Sequence, residues 1–440
     1  MFIERWYLSL MHIAFPPAMY FRWFGDGSDA QDLACFILGI IALVPLAERL
    51  GFVTEQLAMH CGDFAAGLIN VSLGNVPELI MTVVAIVKNE TKTALELLFG
   101  GVLSNLLLVL GLSLLAGGVR FHVQYFNIAV SLALLAALLF LALAVFGIGA
   151  MASSPRPDLS KTEVWDQSEN ISMVVSIITF VYYVCFIYFS LITHKSEFDG
   201  TSSETGRPAV VKDASEEGLA SKDAAEEEEE EEEEEDVLGL WGSLAWMAVL
   251  IVFISFISDG IVDSVGDAAK QLGASMLFLN AIVVPNVGNA PEHAVSITMA
   301  MANKMNLVIS IAVGSAAQLG LMLLPIIMIE SWVDNGTSKE SLHVPLVMSV
   351  GLLAGILFAI LSLQSGKTSW HHGAGLIFMY LLVCCLWWYE PYWQVRDPSP
   401  LAETNRLTAA PAVALQAWAA APAHLRANGA IAGSAMLPPQ

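Results

Sequence analysis

Apolar residues run through this chain in long blocks, with most polar residues falling between the blocks. A helix needs about 20 predominantly apolar residues to cross a bilayer. Ten stretches reach that length: 31–50, 64–87, 94–118, 125–150, 171–192, 238–261, 274–302, 307–331, 344–364 and 372–392. Residues 6–21 make a weaker eleventh, interrupted by Pro16-Pro17, and read either as a short span or as an interfacial segment. The pattern predicts an all-α polytopic membrane protein of about eleven transmembrane helices. It divides into 1–30 with the weak first span, 31–192 with five spans, a charged segment at 193–236, 237–392 with five more spans, and a tail at 393–440 expected to be disordered. No cleavable signal peptide is evident at the start.

Two of the spans carry the same costly interruption. Gly74-Asn75-Val76-Pro77-Glu78 lies in one and Gly288-Asn289-Ala290-Pro291-Glu292 in the other, 214 positions later. A charge at bilayer depth costs about 3 kcal/mol on insertion scales, so each Glu is a candidate functional residue. The same offset aligns Gly100 with Gly314 and Ser104 with Gln318 in the next span. Five spans per half is an odd number, so the two halves enter the membrane in opposite directions. This is the arrangement of an inverted-repeat transporter with its site at the midplane where the repeats meet.

The chemistry of the repeated word suits a hard cation. Asn75 and Glu78, and likewise Asn289 and Glu292, are three apart and share a helix face. Proline has no N–H, so Pro77 and Pro291 are expected to free the carbonyls of Leu73 and Val287. Two carboxylates, two amides and two carbonyls give an all-oxygen shell of the kind Ca2+ takes. Thiolate and imidazole clusters are missing, which disfavours zinc or copper. No CxxC occurs among the five cysteines, which read as small apolar residues. His293, beside Glu292, is expected to be proton-linked. Thr54-Glu55 and Ser258-Asp259 precede the two words as a second acidic pair, read either as ordinary helix-end carboxylates or as a proton relay. Asp263 and Asp267 would extend that face toward water. Ser104, Ser315 and Gln318 are candidates for the shell around the site.

Charge changes the picture little. The net charge of −23 is concentrated in residues 195–236, which hold 18 of the 42 acidic and four of the 19 basic residues. The run Glu226–Glu235 repels itself and is expected to stay solvated. Nucleic acid is excluded as a partner. Basic residues near span ends divide five against seven between the two faces and do not orient the chain. The sequons at Asn89, Asn170 and Asn335, read as loop sites, all fall opposite the acidic segment and place that segment on the cytosolic side.

The two words, with Thr54-Glu55-Gln56-Leu57-Ala58, Leu103-Ser104-Asn105-Leu106-Leu107-Leu108-Val109-Leu110-Gly111 and Ala312-Val313-Gly314-Ser315, resemble the calcium/proton exchanger family, the vacuolar branch of the calcium:cation antiporter superfamily. The likeness covers roughly 31–392. It implies eleven spans with a peripheral first one, electrically driven or proton-driven cation uptake into an acidic store, and Glu78 and Glu292 as cation and proton carriers. Pro77 and Pro291 stand where the family has small or aliphatic residues, Gly101 where it has Ser, and Asp259 where it has Glu. The resulting expectation is a non-enzymatic antiporter that exchanges Ca2+, as substrate rather than cofactor, for protons across a vacuolar or other acidic internal membrane. A Na+ or K+/proton antiporter, a passive cation channel and a non-transporting sensor are its rivals. Expected partners are inorganic cations, protons and membrane lipid, with homo-oligomerisation left open.

Overall fold

A computed structural model of the chain describes residues 12–25, 28–61, 75–153, 161–193, 237–333, 342 and 344–389. Helices are α1 Phe15–Phe24, α2 Asp29–Met59, α3 Val76–Val87, α4 Thr91–Phe121, α5 Ala129–Ser153 and α6 Lys161–Tyr188, which runs on to Thr193. In the second half they are α7 Gly239–Leu272, α8 Met276–Gly288, α9 Ala290–Met301, α10 Met305–Val333, α11 Leu346–Leu363 and α12 Trp370–Trp388. Eight of the described helices are long and apolar enough to cross a membrane. In the second half, the span read as 274–302 is two short helices, α8 and α9, broken between Gly288 and Ala290. The ten-residue α1 rises only about 15 Å, half the hydrocarbon core, and begins at Phe15-Pro16-Pro17 because proline fits a first helical turn.

The halves match in backbone detail that composition does not reveal. The π-helical turns Ser104–Val109 and Gln318–Leu323 occur at the same offset of 214, inside α4 and α10. So do Asn89 (φ 60°) and Asn303 (φ 62°), each in the tight turn after the word-bearing helix. Asparagine is among the side chains that tolerate this left-handed region.

Helix ends sort into two faces. On one, Gln56 accepts from the backbone amides of Val237 (2.8 Å) and Leu238 (3.3 Å), and Gln124 donates to the Ala300 carbonyl (3.0 Å). There β1 (Val123–Tyr125) pairs antiparallel with β2 (Lys367–Ser369). On the opposite face Lys88 meets Asp263 (2.7 Å), the Ser275 hydroxyl donates to the Trp387 carbonyl, and Ser172 accepts from the Leu342 amide (3.0 Å). The first is the loop face, because Thr193 and Val237, which flank the acidic segment, lie on it. The two halves therefore run through the layer in opposite senses.

Burial ranks the helices. The most apolar window of α4 is 89% buried and that of α6 only 22%, so α4 is central and α6 is the lipid-facing rim. One core gathers α1, α2, α3 and α7, including Leu43, Leu50, Met81 and Ile257. The other gathers α4, α5, α10, α11 and α12, including Phe99, Leu106, Leu321 and Trp387. α8 contributes to both cores, through Leu279 and Val284 to the first and through Leu277 and Ala281 to the second.

Candidate functional site

Each word starts a helix. Asn75 is the residue before α3 (φ −112°, ψ 38°), and Asn289 separates α8 from α9 (φ −79°, ψ 11°). Neither side chain caps its own helix, so both amides are free to point elsewhere. Glu78 and Glu292 fall in the first turns of α3 and α9, where free N–H groups and the helix dipole favour an anion. The prolines stand at helix starts and not in a helix interior. Pro77 and Pro291 occupy first-turn positions, where the missing N–H is not needed. The helix has already ended at Gly288, and the Asn289 amide donates to the Pro285 carbonyl at 2.9 Å and is also directed at the Val287 carbonyl. Pro291, four residues after Val287, has no N–H to offer that carbonyl. Leu73 and Gly74 lie outside the described residues.

Across the repeat interface, the two words meet each other and the π turns. The Asn75 Nδ2 donates to Gln318 Oε1 at 2.7 Å, which leaves Asn75 Oδ1 buried without a partner. Glu78, 4% exposed, also keeps its Oε1 unpartnered. That oxygen lies against Gly288, where any Cβ would overlap it, so Gly288 makes room for the carboxylate of the other half. Glu292 in turn keeps its Oε2 buried and unpartnered. Asn289 is fully buried with neither amide atom partnered. Ser104 donates to Asn286 Oδ1 (2.7 Å), and Asn286 Nδ2 donates to the Tyr380 hydroxyl (2.7 Å). Asn286 and Tyr380 were missed in the sequence. Asn286 had a readable signal, being polar in a span and three residues before Asn289. Tyr380, from a distant helix, had none.

Other candidates are placed elsewhere. His293 keeps Nδ1 2.6 Å from the Asn289 carbonyl of its own helix and is half-buried. Ser315 is half-buried, next to the π turn. Glu55 is exposed on α2, and its buried neighbour Gln56 faces the start of α7 instead. Asp259 is not a lone relay carboxylate. It accepts from Arg22 Nε (2.8 Å) and pairs with Lys88 (2.6 Å), and Asp263 pairs with both cations. Lys88 is held in this network because Arg22 of α1 and the end of α3 are packed onto α7. Asp267 pairs with Lys270 at 2.5 Å. The Asn170 sequon lies within α6, with Ser172 fully buried, so it is not a loop acceptor. Asn335 lies outside the described residues.

Among the described residues, no three His, Cys, Asp or Glu side chains gather as a metal cluster. The unpartnered groups at the words are carboxylate and amide oxygens from both halves, together with the Asn289 Nδ2. Each buried oxygen without a partner costs about 1–3 kcal/mol until a cation, proton or water supplies one. Hard oxygens of this kind suit a hard cation.

The model of the family described as sodium/calcium exchanger protein matches residues 32–192 and 242–389. The chain is 30% identical over 401 residues to vacuolar cation/proton exchanger 3 of Arabidopsis thaliana, covering 90% of this chain and 80% of that protein. It is 31% identical to the vacuolar calcium ion transporter of Schizosaccharomyces pombe, covering 88% of this chain and 85% of that protein. A solved structure of native YfkE superposes with a TM-score of 0.64 at 25% identity, covering 87% of this chain and 99% of YfkE. YfkE is described as a Ca2+/H+ antiporter.

Proposed function

The chain belongs to the sodium/calcium exchanger protein family, and we propose that it exchanges Ca2+ for protons across the vacuolar membrane, with Glu78 and Glu292 carrying both. The relatives named as vacuolar exchangers and calcium transporters support the activity and the membrane. The observation that carries the site is the set of unpartnered oxygens contributed by both repeats: Asn75 Oδ1, Glu78 Oε1, Asn289 Oδ1 and Glu292 Oε2.

Ca2+ needs these carboxylates ionised. A proton on either one removes a charge and an acceptor, so the two substrates exclude each other. Asn75, held by Gln318, presents its oxygen toward the site and its N–H away from it. Ser104 and Asn286 orient each other beside the word. Site access alternates between the faces as one repeat moves against the other. The segment 193–236 lies on the cytosolic side in this reading, supported by the exposed Asn89 sequon on the opposite face. With the lumen acidic, protons enter at the face bearing Lys88 and leave at the loop face.

The deciding experiment is a cation panel in proteoliposomes holding the full chain, with and without an imposed pH gradient. Ca2+ accumulation that requires the gradient is the expected result. Gradient-driven Na+ or K+ movement without Ca2+ movement would replace Ca2+ as substrate. Downhill flux indifferent to the gradient would make the protein a channel.

A further inference from the structure

One deeply buried carboxylate stands outside the site. Glu96, 1% exposed, sits on α4 about 12 Å from Ser104 along the helix axis, toward the face opposite the acidic segment. Its Oε2 accepts from Asn280 Nδ2 at 2.8 Å, across the repeat interface. Its Oε1 lies 3.6 Å from the Lys92 ammonium, one turn nearer the surface, and Lys92 is 54% exposed. Asn280, 2% exposed, belongs to the π-helical turn Leu279–Val283 of α8 and also reaches Thr93 Oγ1 at 3.5 Å.

Lys92, Glu96, Gly100 and Ser104 follow one another at i+4 spacing and form a single stripe on α4. That stripe faces α8 along its length. Glu96 meets Asn280, Gly100 meets Ala281, and Ser104 meets Asn286. At Gly100 the approach is so close that a Cβ would overlap the Ala281 carbonyl and Cα. Two polar pairs are therefore separated by one tight backbone contact. The inner pair belongs to the site and the outer pair communicates with the surface through Lys92. Repeat two lacks the counterpart, since the residue at the same offset is Ser310, which is exposed.

From this geometry we infer that Glu96, held by Asn280, is a proton-transfer station between the Lys92 face and the Glu78–Glu292 site. The inference rests on the antiport reading above. Lys92 excludes a metal ion from the station, because its ammonium lies beside the carboxylate, whereas a proton can neutralise the carboxylate in place. The step is a proton transfer only. Glu96 takes a proton from water at the opposite face and passes it toward Ser104 and Asn286 when the Gly100–Ala281 contact parts. Other charged groups on the packed elements are few. Helix α3 carries Glu78, with Lys88 at its end, α9 carries Glu292 and His293, α10 carries Glu330, α12 carries His371 and His372, and α8 and α11 carry none.

The test uses the full chain in proteoliposomes, measuring Ca2+ uptake under an imposed pH gradient and equilibrium Ca2+ binding for the parent, E96Q and E96D. Gln preserves the hydrogen bond from Asn280 but cannot carry the proton, and Asp restores a titratable group. Uptake by E96Q should fall about tenfold, with Ca2+ affinity changed less than about twofold. A limb of the pH–rate profile present in the parent and E96D should be missing in E96Q. Parental rate and pH profile in E96Q would overturn the inference. So would equal slowing of E96Q and E96D with one shared profile, which marks a fastener between α4 and α8. A fall in Ca2+ affinity matching the fall in rate would make Glu96 a cation ligand instead. If parental uptake ignores the pH gradient, it is the antiport reading that fails.

Discussion

The two repeats carry the same word in unequal surroundings. In repeat one the polar groups are largely occupied: Asn75 donates to Gln318 (2.7 Å), Thr82 to the Glu78 carbonyl (2.6 Å) and Thr54 to the Leu50 carbonyl (2.9 Å). Their counterparts in repeat two, Asn289, Ser296 and Ser258, keep buried side-chain atoms with no partner. Glu78 is buried against Gly288, whereas Glu292 is half-buried. Sequence symmetry therefore does not impose equal environments. A transporter built from inverted repeats exposes one side at a time, so its halves must differ in any one conformation. Both repeats leave a site oxygen unpartnered on each Asn and Glu, but in repeat one the Asn75 amide is anchored by Gln318, whereas in repeat two the whole Asn289 amide and the Ser296 hydroxyl also lack a partner.

The comparison breaks most completely at the carboxylates. E78Q and E292Q should each lower proton-driven Ca2+ uptake by about a hundredfold or more while the protein still inserts, since Gln keeps the shape but neither charge nor proton. Near-parental uptake by either variant would remove that residue from the mechanism. G288A is next. A methyl there displaces the Glu78 carboxylate, and Ca2+ affinity should fall about tenfold, measured by equilibrium binding. Unchanged affinity would mean that Glu78 does not need its present position.

The amides sharpen the difference. N75A removes the bond to Gln318 and should lower the stability of the Ca2+-free protein by about 1–3 kcal/mol. N289A removes no hydrogen bond and should leave Ca2+-free stability near parental. Both should lose part of the thermal stabilisation that added Ca2+ provides, which melting curves with and without Ca2+ would show. Equal Ca2+-free melting of the two variants would erase the asymmetry. P291A should change stability and affinity little, because a first-turn proline withholds no hydrogen bond. A large gain in stability would return it to a helix-breaking role. The smallest effect is expected on deleting Glu226–Glu235: turnover preserved, with a modest change in apparent affinity that shrinks as salt is added. Loss of transport at normal expression would show that the run is needed for the fold.

Much of this protein was legible along the chain. Apolar blocks marked the spans, because a bilayer accepts little else for about 20 residues at a time. The two words stood out because a charge there is costly, and their common offset revealed the repeat. The offset also held for features no composition reveals, the π turns at Ser104–Val109 and Gln318–Leu323 and the left-handed Asn89 and Asn303.

Only the tertiary structure decided who meets whom. Asn75 and Gln318 are 243 positions apart, Ser104 and Asn286 182, and Glu96 and Asn280 184. No periodicity links residues at such distances, so Tyr380, the partners of Asn286 and the Glu96–Asn280 pair were invisible until the helices were packed. Asp259 makes the same point: along the chain it reads either as an ordinary helix-end carboxylate or as part of a relay, and packing gives it Arg22 and Lys88 as partners. Pro77 and Pro291 read as interior helix breakers, but the chain places them in first turns, where their chemistry costs nothing. The sequence by itself set which groups lie at membrane depth, because solvation by lipid is a property of each segment. The tertiary structure set their roles, because a buried polar group is defined by the partner it finds or lacks.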